Sequence, residues 1–349
     1  MAVNQSWVQV LHERGVQIEN GRATAHRRRA GEMRSADTVA LVPLLSDSIL
    51  AVDGADAAEF LQGQLTNDIG LISAARAQPT AYCTAKGRVL ATLLLWQAGS
   101  TLFMQLPNEL TEPVRKRLQM YVLRSQVALS EASERKALLG LAGSLAAEVA
   151  REHLRLSLSA PYDCASNGAI TAIALPGDRV ILAVDTDAAP RTWDELAQVC
   201  EPSGEAVWAS HAIAAGVPVV TTTTTDSFIP QMLNLELLGA VSFQKGCYTG
   251  QEIVARTEHL GQVKRRLFRF RCGELPGPGD DVFVDATQVG TVVNAAPLPA
   301  GGSELLAVVP TASAQAHLFA LSPHGVALHA LPLPYLIPDV SVELTGDAR

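Results

Sequence analysis

The sequence FIPQMLNLELLGAVSFQKGCYTGQE, residues 228–252, decides the fold assignment. Its first half carries apolar residues at amphipathic spacing, whereas no apolar period runs through residues 245–252. These last positions combine a thiol, an amine and two glycines, and Gly246 and Gly250 allow backbone conformations closed to other residues. A polar loop after an amphipathic run is a common position for function, so Cys247 is the candidate reactive residue. The alternative is a glycine-rich helix cap with a buried, inert cysteine.

Cys247 would react as a thiolate, a form that nearby positive charge or backbone N–H dipoles favour. Lys245 lies two residues earlier and could supply the charge, while the glycine-flanked backbone could supply the dipoles. The alternative for Lys245 is a solvated surface side chain without a role in the chemistry.

Length and composition predict a multidomain globular protein. The 349 residues exceed what one compact core normally holds, and 48% are hydrophobic against 18% charged, which allows sizeable cores. The formal net charge of −8 argues against a general binder of nucleic acids or membrane surfaces.

The five cysteines are scattered and include no C-x-x-C pair. This excludes a disulfide framework, a typical zinc spacing and an iron–sulfur cluster held by this chain alone, and it favours a reducing compartment. We found no 18-residue apolar run and no signal-peptide core at the N-terminus. The expected location is the cytoplasm, and we predict no metal site.

The pattern of apolar residues predicts an α+β fold followed by a small barrel. Strands and helices interleave between residues 39 and 205 without strict βαβ regularity, which is typical of antiparallel sheets with helices. After Gly261, short apolar runs separated by turns predict an all-β barrel of roughly 85 residues. The first 36 residues are polar and are predicted to be flexible.

Two further stretches are candidates for function. Lys86-Gly87-Arg88 lies between two apolar strands, where an ordinary hairpin turn is the alternative. Trp208 precedes a Gly-x-Pro break, where a flat ligand could stack, although a lone tryptophan is more often part of a core. Walker, G-x-G-x-x-G, H-E-x-x-H and G-x-S-x-G motifs are absent from the sequence. The residues by themselves support a ligand-binding scaffold with one candidate reactive cysteine.

Together these stretches resemble the YgfZ-type folate-binding proteins of iron–sulfur cluster maintenance, which are related to the aminomethyltransferase (T-protein) of the glycine cleavage system. The sequence KGCYTGQE, residues 245–252, matches the family signature at every position. Supporting matches are Gly54-Ala55-Asp56, the run 61–68, the turn 85–88, Phe228-Ile229-Pro230-Gln231 with Asn234-Leu235, and Leu333-Pro334-Tyr335.

The resemblance implies a T-protein-like ring of two interleaved α+β, ferredoxin-like parts and a C-terminal β-barrel. The expected division is a flexible segment (1–36), a folate-binding body (37–130 and 206–263), a second α+β part (131–205) and the barrel (264–349). The implied cofactor is tetrahydrofolate, and the implied role is the assembly or repair of iron–sulfur clusters in enzymes such as those that thiolate tRNA. The expected partners are folate and iron–sulfur client or assembly proteins, without direct binding to nucleic acid or membranes.

The resemblance also implies site residues. Cys247 would be the essential thiol, assisted by Lys245 as a second catalytic residue. A second family tryptophan, expected near Asp47, is absent from this sequence. The implied contacts to the cofactor are Trp208, Tyr248, Gln251, Glu252, Gln231 and Asn234.

Departures from the T-protein pattern separate three hypotheses. Aminomethyltransferases place paired aspartates where this chain has Ala91-Thr92, and a glutamate where it has Ala214. Without a carboxylate these positions cannot move a proton or offset an iminium charge. We therefore favour a folate-binding accessory protein over a one-carbon transferase. The third hypothesis is a folate-binding module without chemistry, for which Cys247 would be dispensable.

Overall fold

The structure is a computed structural model that describes residues 4–26, 38–260, 263–313, 319–323 and 325–338. The rest of the predicted flexible segment and of the predicted barrel domain, including residues 339–349, lies outside the described residues.

The first described residues form a helix and a hairpin: α1 (Gln5–Glu13), β1 (Val16–Glu19) and β2 (Arg22–His26). Trp7 and Leu11, one helical turn apart, are buried, and the Trp7 ring packs edge-on against Trp193 at 6.4 Å between ring centres. The prediction of a flexible segment over residues 1–36 is therefore wrong for residues 5–26. Val16 and Ala23 of the hairpin are buried in the same core as Trp7 and Leu11, so the helix and the hairpin dock together.

Strand β3 (Ala40–Pro43) leads directly into β4 (Asp47–Asp53), yet the two strands belong to different sheets. β3 pairs with residues 139–142, whereas β4 pairs with residues 102–107. All of residues 37–130 were expected to belong to one body, but β3 lies in a different sheet from β4. Every residue of β3 is buried, so its apolar pattern does not show which sheet it joins.

The first sheet contains β4 and the elements α2 (Ala57–Gln62), β5 (Gln78–Cys83), β6 (Val89–Ala98), β7 (Thr101–Pro107), α3 (Asn108–Val122) and β8 (Ala128–Glu131). Its five antiparallel strands have the order β5-β6-β7-β4-β8. The β6–β7 hairpin turns at Gly99, whose φ of 61° suits glycine. Helix α3 covers one face of the sheet with buried side chains at helical spacing, among them Leu110, Val114 and Leu118.

The second sheet contains β3 and the elements β9 (Lys136–Ala142), α4 (Ala146–Leu154), β10 (Cys164–Ser166), β11 (Ile170–Leu175), β12 (Arg179–Asp185), α5 (Ala189–Leu196) and β13 (Glu201–Pro202). Its six strands have the order β10-β11-β12-β9-β3-β13. All pairs are antiparallel except β13 with β3. Helices α1, α4 and α5 cover its outer face.

The two sheets pack face to face. Because side chains alternate along a strand, each sheet contributes every second residue to the shared layer. The layer contains Ile49, Ala51, Trp96 and Phe103 from the first sheet and Val42, Leu138, Ile181 and Ala183 from the second.

The chain then returns to the first sheet. Helix α6 (Glu205–Ala214) contacts β2, β3, β9 and the C-terminal barrel, and α7 (Gln251–Leu260) follows a long loop. In that loop, the Phe228 carbonyl accepts a hydrogen bond of 2.8 Å from the amide of Val89 in β6, and the amide of Val220 donates to Thr92 Oγ1 at 3.2 Å.

The last six strands are β14 (Arg265–Cys272), β15 (Asp281–Val284), β16 (Thr287–Pro297), β17 (Ser303–Pro310), β18 (Phe319–Ala320) and β19 (Ala327–Leu331). They form a closed barrel in the order β14-β17-β16-β15-β18-β19. The rings of Phe270 and Phe319 meet edge-on at 5.4 Å in its core. The predicted α+β fold with a C-terminal β-barrel is confirmed.

Candidate functional site

Three loops that the sequence singled out meet at one end of the five-stranded sheet. They are the loop after α2 (62–68), the β5–β6 turn (84–88) and the loop before α7 (239–250). The amide of Ser242 donates to the carbonyl of Thr66 at 3.0 Å, and the Thr66 hydroxyl donates to the carbonyl of Ala240 at 2.7 Å. These two hydrogen bonds attach the loop before α7 to the loop after α2.

Lys245 is the buried anchor of this assembly. Its side chain is 8% exposed, and Nζ donates to the backbone carbonyls of Gln62, Leu65 and Asn67 at 2.7, 2.7 and 2.9 Å. Burial lowers the pKa of Lys245 to about 8. The three carbonyls use all three donors of the ammonium group, so its contacts fit a positioning role. They do not support the predicted catalytic role for Lys245.

The β5–β6 turn and the turn before α7 touch through two glycines. A Cβ at Gly250 would lie 2.3 Å from the Thr84 carbonyl oxygen and 3.0 Å from Cα of Gly87. A Cβ at Gly87 would in turn lie 3.0 Å from Cβ of Ile253. Both glycines have positive φ, 69° at Gly87 and 88° at Gly250, so neither position accepts a side chain without strain.

Cys247 is exposed in the loop before α7, two residues after the buried Lys245 and one residue before the buried Tyr248. The space around Gly246 is open, because a Cβ built there meets no atom within 4 Å. The other four cysteines are buried, and burial raises the pKa of Cys83 and Cys200 to about 12. Cys247 is thus the thiol that a solute or a partner protein can reach.

The next predicted contacts, Tyr248, Gln251 and Glu252, have different surroundings. The Tyr248 ring is 7% exposed, and Nζ of Lys245 lies 5.2 Å from its centre. Oε1 of Gln251 accepts a hydrogen bond of 3.3 Å from the Tyr248 amide, which closes the turn into α7. Glu252 is largely exposed, with 81% of its side chain accessible, and pairs with Arg256 at 3.1 Å.

Gln231 and Asn234 are fully buried, which argues against the predicted contact with a cofactor. Asn234 Nδ2 donates to the carbonyl of Leu267 at 2.9 Å, and its Oδ1 accepts from Arg266 at 3.2 Å. Gln231 Nε2 donates to the carbonyl of Val254 at 2.7 Å. Both amides bind protein groups, and Asn234 joins the loop to barrel strand β14. Oε1 of Gln231 is buried without a hydrogen-bond partner among the described residues, so the predicted contact of these two residues with a cofactor stays a prediction.

Trp208 lies apart from Cys247, on α6 beside the layer between the two sheets. A Cβ at Gly140 of β9 would lie 2.6 Å from Cε3 of its indole, so glycine there makes room for the ring. The guanidinium of Arg179 lies 4.8 Å from the ring centre. Trp208 is partly buried and packs with the shared layer. Apart from the buried Gln231 and Asn234, the predicted site residues therefore fall into two groups. Trp208 forms the first, beside the shared layer, and residues 245–252, in the loop before α7 and at the start of that helix, form the second.

Arg179 was not singled out by the sequence. It begins β12, and its side chain faces the shared layer with 5% exposure. Nε donates to the carbonyl of Pro176 at 3.1 Å, and among the described residues no acceptor bonds to its two terminal nitrogens. Burial lowers the pKa of Arg179 to about 10. A charged residue at an inward-facing position of an apolar strand was the signal in the sequence.

Asp47 faces the same layer from the five-stranded sheet. Gln105 Nε2 donates to its carboxylate at 2.8 Å. Burial, followed by the nearby Glu205 carboxylate, raises the pKa of Asp47 to about 7. Arg179 and Arg22 act in the opposite direction, so Arg179 lies within electrostatic reach of this carboxyl group.

The positions of the missing transferase carboxylates have ordinary packing. Ala91 is fully buried in β6. The hydroxyl of Thr92 accepts from the amide of Val220 at 3.2 Å. Ala214 ends helix α6. Over the described part of the chain, no group of three or more His, Cys, Asp or Glu side chains is arranged to hold a metal. Within the same residues, no helix has the length and apolar character needed to cross a membrane.

The chain has clear relatives among known proteins, although no family model matches it. It is 31% identical over 308 residues to the tRNA-modifying protein YgfZ of Escherichia coli, an alignment that covers 86% of this chain and 94% of that protein. It is 30% identical over 308 residues to the tRNA-modifying protein YgfZ of Yersinia pestis, covering 86% and 93%.

Among solved structures, the chain is similar to the glycine cleavage system aminomethyltransferase T from Bartonella henselae. The TM-score is 0.76 and the sequence identity 15%, with 95% of this chain and 97% of that chain covered. This similarity confirms the predicted T-protein-like fold. The sequence identity to the relatives over most of their length shows the family, and this chain belongs to the YgfZ family.

Proposed function

We propose that this protein is a cytoplasmic, tetrahydrofolate-binding accessory protein for the assembly or repair of iron–sulfur clusters, with Cys247 as its essential thiol. Its role in tRNA modification, after which its relatives are named, would then be indirect, through iron–sulfur enzymes that thiolate tRNA. The net charge of −8 fits a protein partner better than direct binding to RNA. The observation that carries the proposal is the exposed Cys247 in a loop fixed by a buried lysine.

The residues present fit a flat, polar cofactor beside Trp208. An indole ring can stack on a pterin ring. The guanidinium of Arg179 lies 4.8 Å from the centre of the indole and carries N–H donors, which the carbonyl oxygen of a pterin could accept. Tetrahydrofolate bound there would supply a carrier for one-carbon units.

In the loop before α7, the protein's own side chains position the thiol of Cys247. Lys245 fixes the loop on three carbonyls, Tyr248 fills the space beneath it, and Cys247 is presented to solvent. An exposed thiol on a rigid loop can be reached by a second protein without unfolding. This fits a thiol used with a client protein.

Aminomethyl transfer is the weaker candidate. The structural similarity to the aminomethyltransferase concerns the fold, and a shared fold does not establish a shared activity. Ala91 is buried and Thr92 holds a backbone amide, so neither position offers a carboxylate for proton transfer.

The first experiment is calorimetric titration with tetrahydrofolate. Wild-type protein is expected to bind it, and Trp208→Ala is expected to lose most of the affinity because the ring platform is removed. Tyr121→Ala is the matched control, because Tyr121 is an aromatic residue 41% exposed on α3. Wild-type protein that binds no tetrahydrofolate would refute the cofactor.

The second experiment tests the thiol in cells that lack their own member of the family. Wild-type protein is expected to restore tRNA thiolation, whereas Cys247→Ser is not, because serine preserves shape but lacks thiolate chemistry. Full restoration by Cys247→Ser would favour the folate-binding module without chemistry.

A further inference from the structure

The stretch Gly54-Ala55-Asp56 holds the turn between α3 and β8, residues 123–127. A Cβ at Gly54 would lie 1.9 Å from the backbone oxygen of Gln126, and φ at Gly54 is 121°, so the contact requires glycine. The carboxylate of Asp56 accepts a hydrogen bond of 2.7 Å from the amide of Gln126. The turn is therefore fixed on the segment that precedes α2.

This turn holds Leu123 in a backbone conformation that leucine rarely adopts. Its φ is 44° and its ψ is −103°, a combination that is costly for a residue with a Cβ. The side chain gains little packing in return, because Leu123 is 87% exposed. Strained residues of this kind persist where the surrounding structure holds them, and they cluster at functional positions. The turn thus presents a leucine to solvent at a cost that its own packing does not offset.

Two more exposed apolar side chains lie in the last turn of α3. Met120 is 65% exposed and Tyr121 41% exposed. With Leu123 they form a contiguous group, which we call the α3 patch. Single exposed apolar residues are ordinary on a protein surface, whereas a contiguous apolar group with a polar border is typical of an interaction site.

The charges that border the α3 patch are positive. Residues 115–124 contain no acidic residue but four basic ones, Arg115, Lys116, Arg117 and Arg124. The first two share one carboxylate, that of Glu112, at 2.8 and 3.3 Å. The other two form no ion pair within the part of the chain that the structure describes. Because the chain as a whole has a net charge of −8, this basic border is a local feature.

These features favour one class of partner. A second copy of this chain bound through the same patch would bring two basic borders together, and like charges repel. A nucleic acid would be held through its phosphates, to which the apolar side chains of Met120 and Leu123 contribute nothing. A protein that has an apolar cleft bordered by Asp and Glu complements both the patch and its charge.

We propose that the α3 patch is a docking surface for an acidic partner protein, with Leu123 inserted into an apolar cleft of that partner. Arg117 and Arg124 pair with carboxylates at the border of the cleft. Because the turn already fixes the backbone of Leu123, binding loses little conformational entropy there. This inference goes beyond the proposed function, since the surface needs neither folate nor the thiol of Cys247.

Photo-cross-linking in cells that lack their own member of the family identifies the partner. The photoreactive amino acid p-benzoylphenylalanine replaces Leu123 in the full chain, and irradiation is expected to join it to a protein other than this chain. Reversing the border charges with Arg117→Glu and Arg124→Glu is expected to reduce this adduct at least tenfold. An adduct with RNA, an adduct between two copies of this chain, or a yield unchanged by the charge reversal would overturn the proposal.

The matched control places the same photoreactive residue at Leu275. This leucine is also exposed, in the segment between β14 and β15 of the barrel, and it lies outside the α3 patch. We expect no adduct with the same protein from this position. The same adduct at equal yield from both positions would show that the capture is not specific to the α3 patch.

Leu123→Gly separates docking from folding. Glycine accepts the left-handed φ without strain, so the urea midpoint of the isolated protein is expected to stay unchanged or to rise. The Kd for the captured protein, purified and titrated by calorimetry, is expected to rise at least tenfold because the inserted side chain is missing. An unchanged Kd would overturn the role of Leu123.

Restoration of tRNA thiolation in cells relates the surface to the proposed function. Leu123→Gly is expected to restore less than a tenth of the wild-type level, while its Cys247 thiol titrates as in wild-type protein. Full restoration by Leu123→Gly, with none by Cys247→Ser, would overturn this inference alone. Wild-type protein that restores no thiolation would overturn the proposed function, and the cross-link from position 123 would then decide the docking surface by itself.

Discussion

Lys245 and Cys247 are separated by a single glycine, yet they face opposite environments. Lys245 is 8% exposed and donates to three backbone carbonyls, whereas Cys247 is exposed to solvent. The two residues therefore have separate tasks, because the lysine fixes the loop that presents the thiol.

Replacing Lys245 is expected to loosen the loop. Lys245→Met keeps the length of the side chain but leaves three carbonyls without their charged donor, which costs about 3 kcal/mol. Amide hydrogen exchange checks this locally. The amides of Ser242 and Thr249, which bond to the loop after α2, are expected to exchange much faster in the variant.

Lys86→Met is the control, because Lys86 is an exposed lysine on the neighbouring turn. Its effect on the same amides is expected to be small, as for most surface substitutions. Equal exchange in both variants would show that the three hydrogen bonds of Lys245 do not hold the loop.

Native protein is expected to expose one reactive thiol. Cys247 is exposed and the other four cysteines are buried, so a chromogenic disulfide reagent should titrate one equivalent rapidly and five after unfolding. Cys247→Ser should reduce the rapid equivalent to none and leave the unfolding transition unchanged. A rapid equivalent that persists in Cys247→Ser would place the accessible thiol elsewhere.

Much of the fold was readable from the sequence, because periodicity reports burial directly. The hairpin at Gly99 and the C-terminal barrel follow from alternating apolar runs between turn residues. Strand pairing is less readable. Strand β3 is apolar at every position, so nothing local shows that it joins β9 rather than β4. Helix α1 was missed because it is short and just two of its residues, Trp7 and Leu11, are fully buried.

The motifs in the sequence predicted which residues belong to the candidate site, but they did not predict the role of each residue. Lys245 and Asn234 both stand in motif positions, but their partners are backbone carbonyls and barrel residues that come near only in the folded chain. Arg179 was missed for a related reason. Its contacts with the Pro176 carbonyl and the Trp208 ring form only in the folded chain, and in the sequence it is only a charge at the start of an apolar strand.

Asn234 is expected to be essential for attaching the loop to the barrel. Its φ of 55° is left-handed, and its amide bonds to Leu267 and Arg266 of β14. Asn234→Gly tolerates the backbone angle but removes these bonds, with an expected loss of about 2–4 kcal/mol in unfolding free energy. The shift in the urea midpoint measures it.

Asp285→Ala is the comparison for backbone strain. Asp285 also has a left-handed φ, 52°, but is exposed, so alanine there should cost only about 1 kcal/mol. A smaller loss for Asn234→Gly than for Asp285→Ala would argue that the buried amide contributes little.

Asp47→Asn is expected to stabilise the ligand-free protein at high pH. Burial and Glu205 raise the pKa of Asp47 to about 7, well above its unfolded value of 3.8, although Arg179 and Arg22 oppose the shift. Between these two values the native state holds the proton more tightly than the unfolded state, so this group's contribution to stability falls as pH rises. The penalty is complete above about pH 7, and asparagine removes it.

Urea unfolding at pH 5 and pH 8 tests the sign. The gain from Asp47→Asn is expected to be larger at pH 8, by an amount on the order of 1–3 kcal/mol, since each pKa unit corresponds to about 1.4 kcal/mol. Asp187→Asn, at an exposed position, should show no comparable pH dependence. A gain that shrinks from pH 5 to pH 8 would mean that Asp47 is ionised at little cost.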